Sequence, residues 1–471
     1  VDEDDDVGQG HRVARQADGG RALHDGHARR TQRRDRPVGA AQRVHALQHL
    51  PQVPAGGLGA PGQGQDELER ADGDDDGAGG CGPAVEPDPA VEPGPADLVT
   101  STRALEGGGW TVGFSPDARS EDKNGVATAP GPVAIRRVRS GEDPEPTDQT
   151  VLAALDPQDG SLRWSATITP AIEPPQNTLG VSTSQEAVTE NARLIGAPGP
   201  VVVSPNGRYI ALQLQSNDPT AIADTRAAVL VLDAATGETV RTLQTAGLVL
   251  GRVLTDSELV VQTAQDYVPA GSTLTVAPLG EPDAEPSTLR TDQWLMGSTA
   301  HSLLLSPDGL SGLCSDSCTS TTITETTVDG ESLATIPAVY RVLEGGRVER
   351  YTDPAAANDA VASGQWAEWV KTGREILDIE AGTTTDITGY ATGPEPLLLA
   401  DGTGVLLNRL VPLDPEKPGS SYSENHPAAW VGAPADGGAV HTEPVTAVTS
   451  LPGSSADLTG LTFGPISMTD P

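Results

Sequence analysis

The sequence predicts an all-β fold assembled from repeated four-stranded sheets, and three observations predict it. Beyond residue 105, short apolar runs alternate with turn residues at close intervals, the pattern of strands and hairpins. An Asp and a Gly with three residues between them separate two apolar runs at Asp156–Gly160, Asp233–Gly237 and Asp378–Gly382. A second phrase, Ser-Pro-Asp/Asn-Gly leading into a strand, appears in VVVSPNGRYIALQL (201–214) and LLLSPDGL (303–310), begins in FSPDAR (114–119), and keeps its shape without the Pro in LLLADGTGVLL (397–407).

Each phrase has a physical reading. In the Asp-to-Gly turn the carboxylate accepts turn N–H groups and the Gly takes a positive φ, which closes a tight hairpin. Pro at the second position, Asp or Asn next and Gly last is the preference of a type I turn. A unit with an inner hairpin on a Ser-Pro turn and an outer hairpin on an Asp-to-Gly turn has four strands, one blade of a β-propeller. Asp156 to Asp233 is 77 residues, read as two blades of about 40 residues, and Asp233 to Asp378 is 145, read as three longer ones. Residues 105–471 accommodate seven or eight such units, and seven is the expected number. The run LTGLTFGPISM (458–468) is expected to pair with GGWTVGFSP (108–116) and close the ring.

The composition supports this and narrows the partners. Of 471 residues only 3% are aromatic, against 54 Gly and 40 Pro, so the core must come from Val, Leu, Ile and Ala between many turns. A formal charge of -36 with three Lys argues against nucleic acid, whose phosphates require clustered Lys and Arg. An acidic surface of this kind keeps a protein soluble.

Before Thr100 the chain has no Phe, Trp, Tyr, Ile, Met, Lys, Ser or Asn. What remains cannot bury enough apolar area to offset the entropy of ordering, so residues 1–80 are expected to be disordered. GC-rich codons read out of frame give this same alphabet, and the segment is expected to be a mis-called or frame-shifted start hiding an export signal. Within it, Asp72–Gly77 begins like an EF-hand loop but meets Pro83 where Glu is needed. His45 and His49, at helical metal spacing, lack a supporting apolar helix. Cys81-Gly82, followed by PAVEPDPAVEPGPADL, resembles the start of a mature bacterial lipoprotein. That makes Cys81 the lipidation candidate, residues 81–104 a Pro/acidic tether, extended and solvated, and residues 105–471 the propeller.

The repeat phrases resemble those of the quinoprotein-dehydrogenase-like and YVTN/WD40-like β-propellers, with ALDPQDGSLRW and its Trp164 the nearest instance. The resemblance implies the fold, over about three quarters of the chain, rather than an activity. Extracytoplasmic propeller lipoproteins share these repeats, which implies a binding scaffold. The quinone-dependent enzymes carry a vicinal cysteine pair, whereas Cys314 and Cys318 have three residues between them. These two read as a disulfide clip across a hairpin end, against two reduced thiols or a metal or redox site.

Chemistry is otherwise sparse. The folded region holds three His, at 301, 426 and 441, with no G-x-S-x-G elbow and no Gly-rich phosphate loop. Calcium-dependent propeller hydrolases use scattered Asn, Asp and Glu, for which Asn206, Asn358 and Asp359 are the candidates. GQWAEWVKTG (364–373) carries Trp366 and Trp369, read as a strand edge packed between blades or as an exposed platform. SSYSENHPAAW (420–430) reads as a long inserted loop, with Tyr422, His426 and Trp430 as partner contacts.

The expected protein is thus a monomeric, extracytoplasmic, non-catalytic propeller, secreted or tethered through lipid, binding a protein or cell-envelope component and needing no metal or cofactor. The contrasting expectation is a calcium-dependent hydrolase or lactonase, or a quinone-type oxidoreductase, with its site in the central channel.

Overall fold

The structure, a computed structural model, describes residues 89–106, 108–114, 124–140, 147–172, 201–214, 226–265, 269–307, 320–363, 366–399, 402–409, 427–432, 439–450 and 460–466. Residues 1–80, Cys81, Cys314, Cys318, Tyr422 and His426 lie outside them. The described strands form a seven-bladed β-propeller.

The chain enters through β1 (Ala90–Pro93), β2 (Val99–Ala104) and β3 (Trp110–Phe114). The first blade is β4 (Asn124–Thr128), β5 (Gly131–Ser140), β6 (Thr147–Leu155) and β7 (Leu162–Thr169), and β1 adds a fifth strand outside β7. The second is β8 (Val201–Val203), β9 (Tyr209–Leu214), β10 (Arg226–Asp233) and β11 (Thr239–Ala246). The third is β12 (Leu248–Leu254), β13 (Glu258–Ala264), β14 (Ser272–Pro278) and β15 (Ser287–Thr291).

Blades four and five share one continuous seven-stranded sheet: β16 (Trp294–Ser298), β17 (Ser302–Ser306), β18 (Thr321–Thr327), β19 (Ser332–Leu343), β20 (Arg347–Tyr351), β21 (Arg374–Asp378) and β22 (Thr383–Asp386). The first half of β19 pairs with β18 as the outer strand of blade four, and the second half pairs with β20 as the inner strand of blade five. The strand changes partner near Ala338, whose φ is 62°. Between β20 and β21 lie two short helices, α1 (Pro354–Ala362) and α2 (Trp366–Val370). The sixth blade is β23 (Tyr390–Leu399), β24 (Gly402–Arg409), β25 (Pro427–Val431) and β26 (Val440–His441).

The seventh blade joins the two ends of the chain. Its inner strands are β27 (Val445–Ser450) and β28 (Gly460–Ile466), and β3 pairs with β28 in the register Phe463↔Trp110 and Leu461↔Val112, with β2 outside it. This is the closure read from the sequence: strands from the two ends of the chain complete one blade.

The core sits between blades, which explains the strand sequences. Successive side chains of a strand point to opposite faces, so Ile210, Leu212 and Leu214 of β9 pack toward the first blade with Ile135, Leu152 and Ile168, while Tyr209 and Ala211 pack toward the third with Leu254, Leu259 and Val261. A sheet covered on both faces needs continuous apolar runs, hence YIALQL and AAVLVL.

The Asp-to-Gly phrase acts as read, and the Ser-Pro phrase makes an inner hairpin at VVVSPNGRYIALQL and, without the Pro, at LLLADGTGVLL. Asp156 accepts the N–H of Gln158 at 2.7 Å and Asp233 that of Ala235 at 2.8 Å, each closing an outer hairpin, with Gly160 and Gly237 at φ 70° and 76°. Trp110 and Trp164 then lock blade to blade. The indole N–H of Trp110 donates to Pro157 O at 3.2 Å and that of Trp164 to Ala234 O at 3.0 Å, each ring lying against the Gly of the next blade's turn.

Three expectations are corrected. Asp156 and Asp233 belong to adjacent blades, so 77 residues hold one blade step and not two; the 31 residues between β7 and β8 absorb the difference. LLLSPDGL ends β17, the second strand of its blade, and FSPDAR begins at the last residue of β3, the third strand of blade seven, so neither phrase joins the two inner strands of a blade. Ala90–Pro93 and Val99–Ala104, assigned to the tether, are strands on the outer edges of blades one and seven. Their side chains are mostly exposed, so backbone pairing rather than an apolar pattern defines them.

Candidate binding face

Strand alternation makes the two faces of the ring different. In blades one to six, first-to-second connections have two to five residues, whereas second-to-third connections, which leave from the opposite ends of the sheets, have six to twenty-two.

The short turns are tied into a belt. Ala129 N donates to Gly207 O at 2.9 Å, Asn206 N to Asp256 Oδ1 at 2.9 Å, Asp256 N to Ala300 O at 2.9 Å, and Ala300 N to Glu380 Oε1 at 2.6 Å. These bonds run from blade one to blade five and tie the turns of neighbouring blades to one another. Burial holds the Asp256 carboxyl above the usual range, helped by the nearby Glu380 charge, while the Asn206 N–H and His301 oppose the shift.

On the other face the one described long connection is the 352–373 insertion. Asp353 caps α1 by accepting the Ala356 N–H at 3.0 Å, and Pro354 occupies the first helical position, where its missing N–H costs nothing. Ala357 and Ala360 face inward, and Ala355, Asn358 and Asp359 face solvent. Thr352 N donates to Gly373 O at 2.9 Å and pinches the base of the insertion.

Its anchor is Trp369. The indole N–H donates to Tyr351 Oη at 3.1 Å, and the Arg374 guanidinium lies 4.0 Å from the ring centroid, with the Tyr340 and Tyr351 rings each 5.1 Å from it. Three aromatic rings therefore surround one cation. Arg374 and Glu349, both with no exposed side-chain surface, are paired at 3.1 Å. The second carboxylate oxygen accepts the Thr392 hydroxyl at 2.5 Å, and Thr392 in turn accepts from Arg341 at 2.9 Å, carrying the network into blade six. Burial raises the phenol pKa of both Tyr340 and Tyr351, against the pull of Arg374. The Arg374–Glu349 pair is fully buried beneath the part-buried Tyr340 and Trp369 rings, so its chemistry is that of an anchor.

The sequence candidates separate. Trp366 and Trp369 lie on α2, not on a strand edge, because their i, i+3 spacing follows a helical turn. Trp430 lies on β25 rather than in a loop; it stacks on His441 with centroids 4.3 Å apart, and His441 Nδ1 lies 3.0 Å from Glu443 Oε1. Asn206 serves its own turn, accepting from Ser204 Oγ at 2.7 Å and Arg208 N at 2.9 Å, and lies on the short-turn face, whereas Asn358 and Asp359 lie on α1. These three do not converge. Arg374, Glu349, Tyr340 and Tyr351 were missed, since they sit in ordinary strand sequences; the one signal was two of the six tyrosines lying close together in sequence.

The inner strands of the seven blades contain a single carboxylate residue, Glu395, and the two arginines Arg252 and Arg341, amid mostly Val, Leu, Ala, Ser and Thr. Among the described residues no three His, Cys, Asp or Glu side chains gather as metal ligands would.

No protein-family model matches the chain, and no curated protein matches it. It is similar to the solved structures of BamB from Moraxella catarrhalis (11% identity, TM-score 0.31, covering 77% of this chain and 100% of that one) and the β-propeller domain of the trilobed protease from Pyrococcus furiosus (11%, 0.34, 62% and 77%). It is also similar to dihydro-heme d1 dehydrogenase NirN (14%, 0.32, 79% and 75%). At these values the architecture rests on the strand pairing itself.

Proposed function

We propose that this chain is a non-catalytic, extracytoplasmic binding scaffold that recognises a protein or cell-envelope component through its long-connection face. The asymmetry between the two faces carries the reading: one is closed by short turns bonded to each other, while the other offers longer connections on a rigid ring. Recognition residues concentrate on such segments because a rigid scaffold positions them without being disturbed by their variation. The 352–373 insertion is the described part of that face, held by Trp369 and Arg374 and presenting Asp353, Asp359 and Glu368 against one Lys371. Inner strands poor in carboxylates favour a scaffold over a central-channel metal enzyme.

The compartment belongs to the same proposal. Cys81 would carry lipid, and a Cys314–Cys318 disulfide would close the connection after β17; both residue sets fit an oxidising exterior. Among the described residues no helix is long and apolar enough to cross a membrane.

Photo-crosslinking in the source cells tests the function. A photoreactive residue at Ala355 or Asp359 is expected to give the same discrete adduct, competed by excess unlabelled protein, while the residue at Asp159 or Glu238 on the short-turn face gives none. Adducts from Asp159 and Glu238 alone would overturn the reading.

A further inference from the structure

Five guanidinium groups are buried among the described residues: Arg136, Arg241, Arg252, Arg347 and Arg374. Arg374 has Glu349, Arg241 donates to the carbonyls of Glu281, Pro282 and Ala284, and Arg252 donates to Gln213. Arg136 differs. It is 5% exposed, and among the described residues its Nη1 has no hydrogen-bond partner.

Its surroundings explain what is missing. Arg136 lies on β5 opposite Val151 of β6, on the face that packs against the seventh blade with Ala134, Ala153, Val112 and Phe114. The Phe114 ring covers one face of the guanidinium, with Cζ 4.5 Å from the ring centroid. Stacking satisfies the plane of the group but leaves its N–H fork pointing outward in that plane. Burial lowers its pKa to about 10, so it still carries its charge at neutral pH. A buried charge without a counter-ion is strongly unfavourable, and a low-dielectric apolar wall strengthens any ion pair formed there.

We infer that the seam between the first and seventh blades holds a small-anion site in which Arg136 binds a free carboxylate. A carboxylate matches the planar fork with two parallel hydrogen bonds. At 5% exposure Arg136 is out of reach of the side chain of a docked macromolecule, so its partner must be small. Because the site straddles the closing blade, an occupant ties β5 to the region of β3 and stabilises ring closure, as any ligand specific for the folded state must.

The test is thermal unfolding of the purified chain in sodium malonate or sodium acetate against sodium chloride at matched ionic strength. The wild type is expected to show a saturable rise in Tm with malonate or acetate beyond that in chloride. Arg136→Met should abolish the dependence, and Arg136→Lys, which keeps the charge without the fork, should require at least about tenfold more anion. A wild-type Tm that follows chloride alone, as it would if carboxylates of the chain itself filled the site, overturns the inference, as does an equal response in Arg136→Met. Should Arg136→Met not fold, the Nη resonances of arginine-labelled wild type decide. A saturable shift of one guanidinium with malonate supports the site, and no shift overturns it.

Discussion

Gly237, in the outer turn of the second blade, lies against the indole of Trp164 in the first, so near that a Cβ would fall 2.7 Å from Cε3. The same turn places Gly237 at φ 76°. Gly237→Ala therefore meets both a ring and a disfavoured backbone, and should cost about 2–4 kcal/mol. Gly271, at φ 68° with nothing within 4 Å, isolates the backbone part; Gly271→Ala should cost about 1 kcal/mol. Urea unfolding of the two variants measures the difference, which is the steric cost of a methyl group against the Trp164 ring.

The Arg374–Glu349 pair should be costly to break singly and cheap to replace whole. Arg374→Met or Glu349→Leu alone strands a buried charge and should destabilise by about 3–5 kcal/mol, whereas the double variant should recover most of that loss. A double-mutant cycle by chemical denaturation reads the coupling. Arg374→Met should also loosen Trp369, seen as a red shift of its fluorescence.

Asp256 should make stability depend on pH. Its folded pKa is raised, so its favourable contribution is complete below the unfolded value of about 3.9 and is lost as pH rises through the folded value. Asp256→Asn keeps an oxygen for the Asn206 N–H and removes the charge facing Glu380. Relative to wild type, the variant should therefore gain stability as pH rises from 4 toward neutrality. Unfolding midpoints across that range test the sign.

Ring closure should be all-or-none. Removing residues 445–471 deletes β27 and β28 and strips Trp110 of Phe463, whose ring centroid lies 5.5 Å away. The truncated chain should lose its cooperative melt, and Phe463→Ala alone should cost about 2–4 kcal/mol. Circular dichroism on heating and limited proteolysis distinguish a reopened ring from an intact one.

The fold was legible because its determinants are local. Asp156, Asp233 and Gly237 announce hairpins within five residues, and YIALQL or AAVLVL announces a strand buried on both faces. Spacing between phrases was less informative, since the 31-residue connection after β7 hides one blade step inside what resembles two. The anchor at the candidate face was not legible. Tyr340, Tyr351, Trp369 and Arg374 come together only when β19, β20 and β21 of blade five pair side by side and the insertion folds back, a juxtaposition that no sequence interval encodes. β1 was missed for a different reason: AVEP pairs through its backbone on an exposed edge and has no apolar pattern to read.

Recognition through the long-connection face is tested most directly by hydrogen exchange on the full chain, free and bound to the partner recovered by crosslinking. The account predicts slowed exchange at 352–373 and at the strand ends beside it, with the short turns at 204–208, 255–257 and 299–301 unchanged. Protection confined to those turns, with 352–373 unaffected, would contradict it.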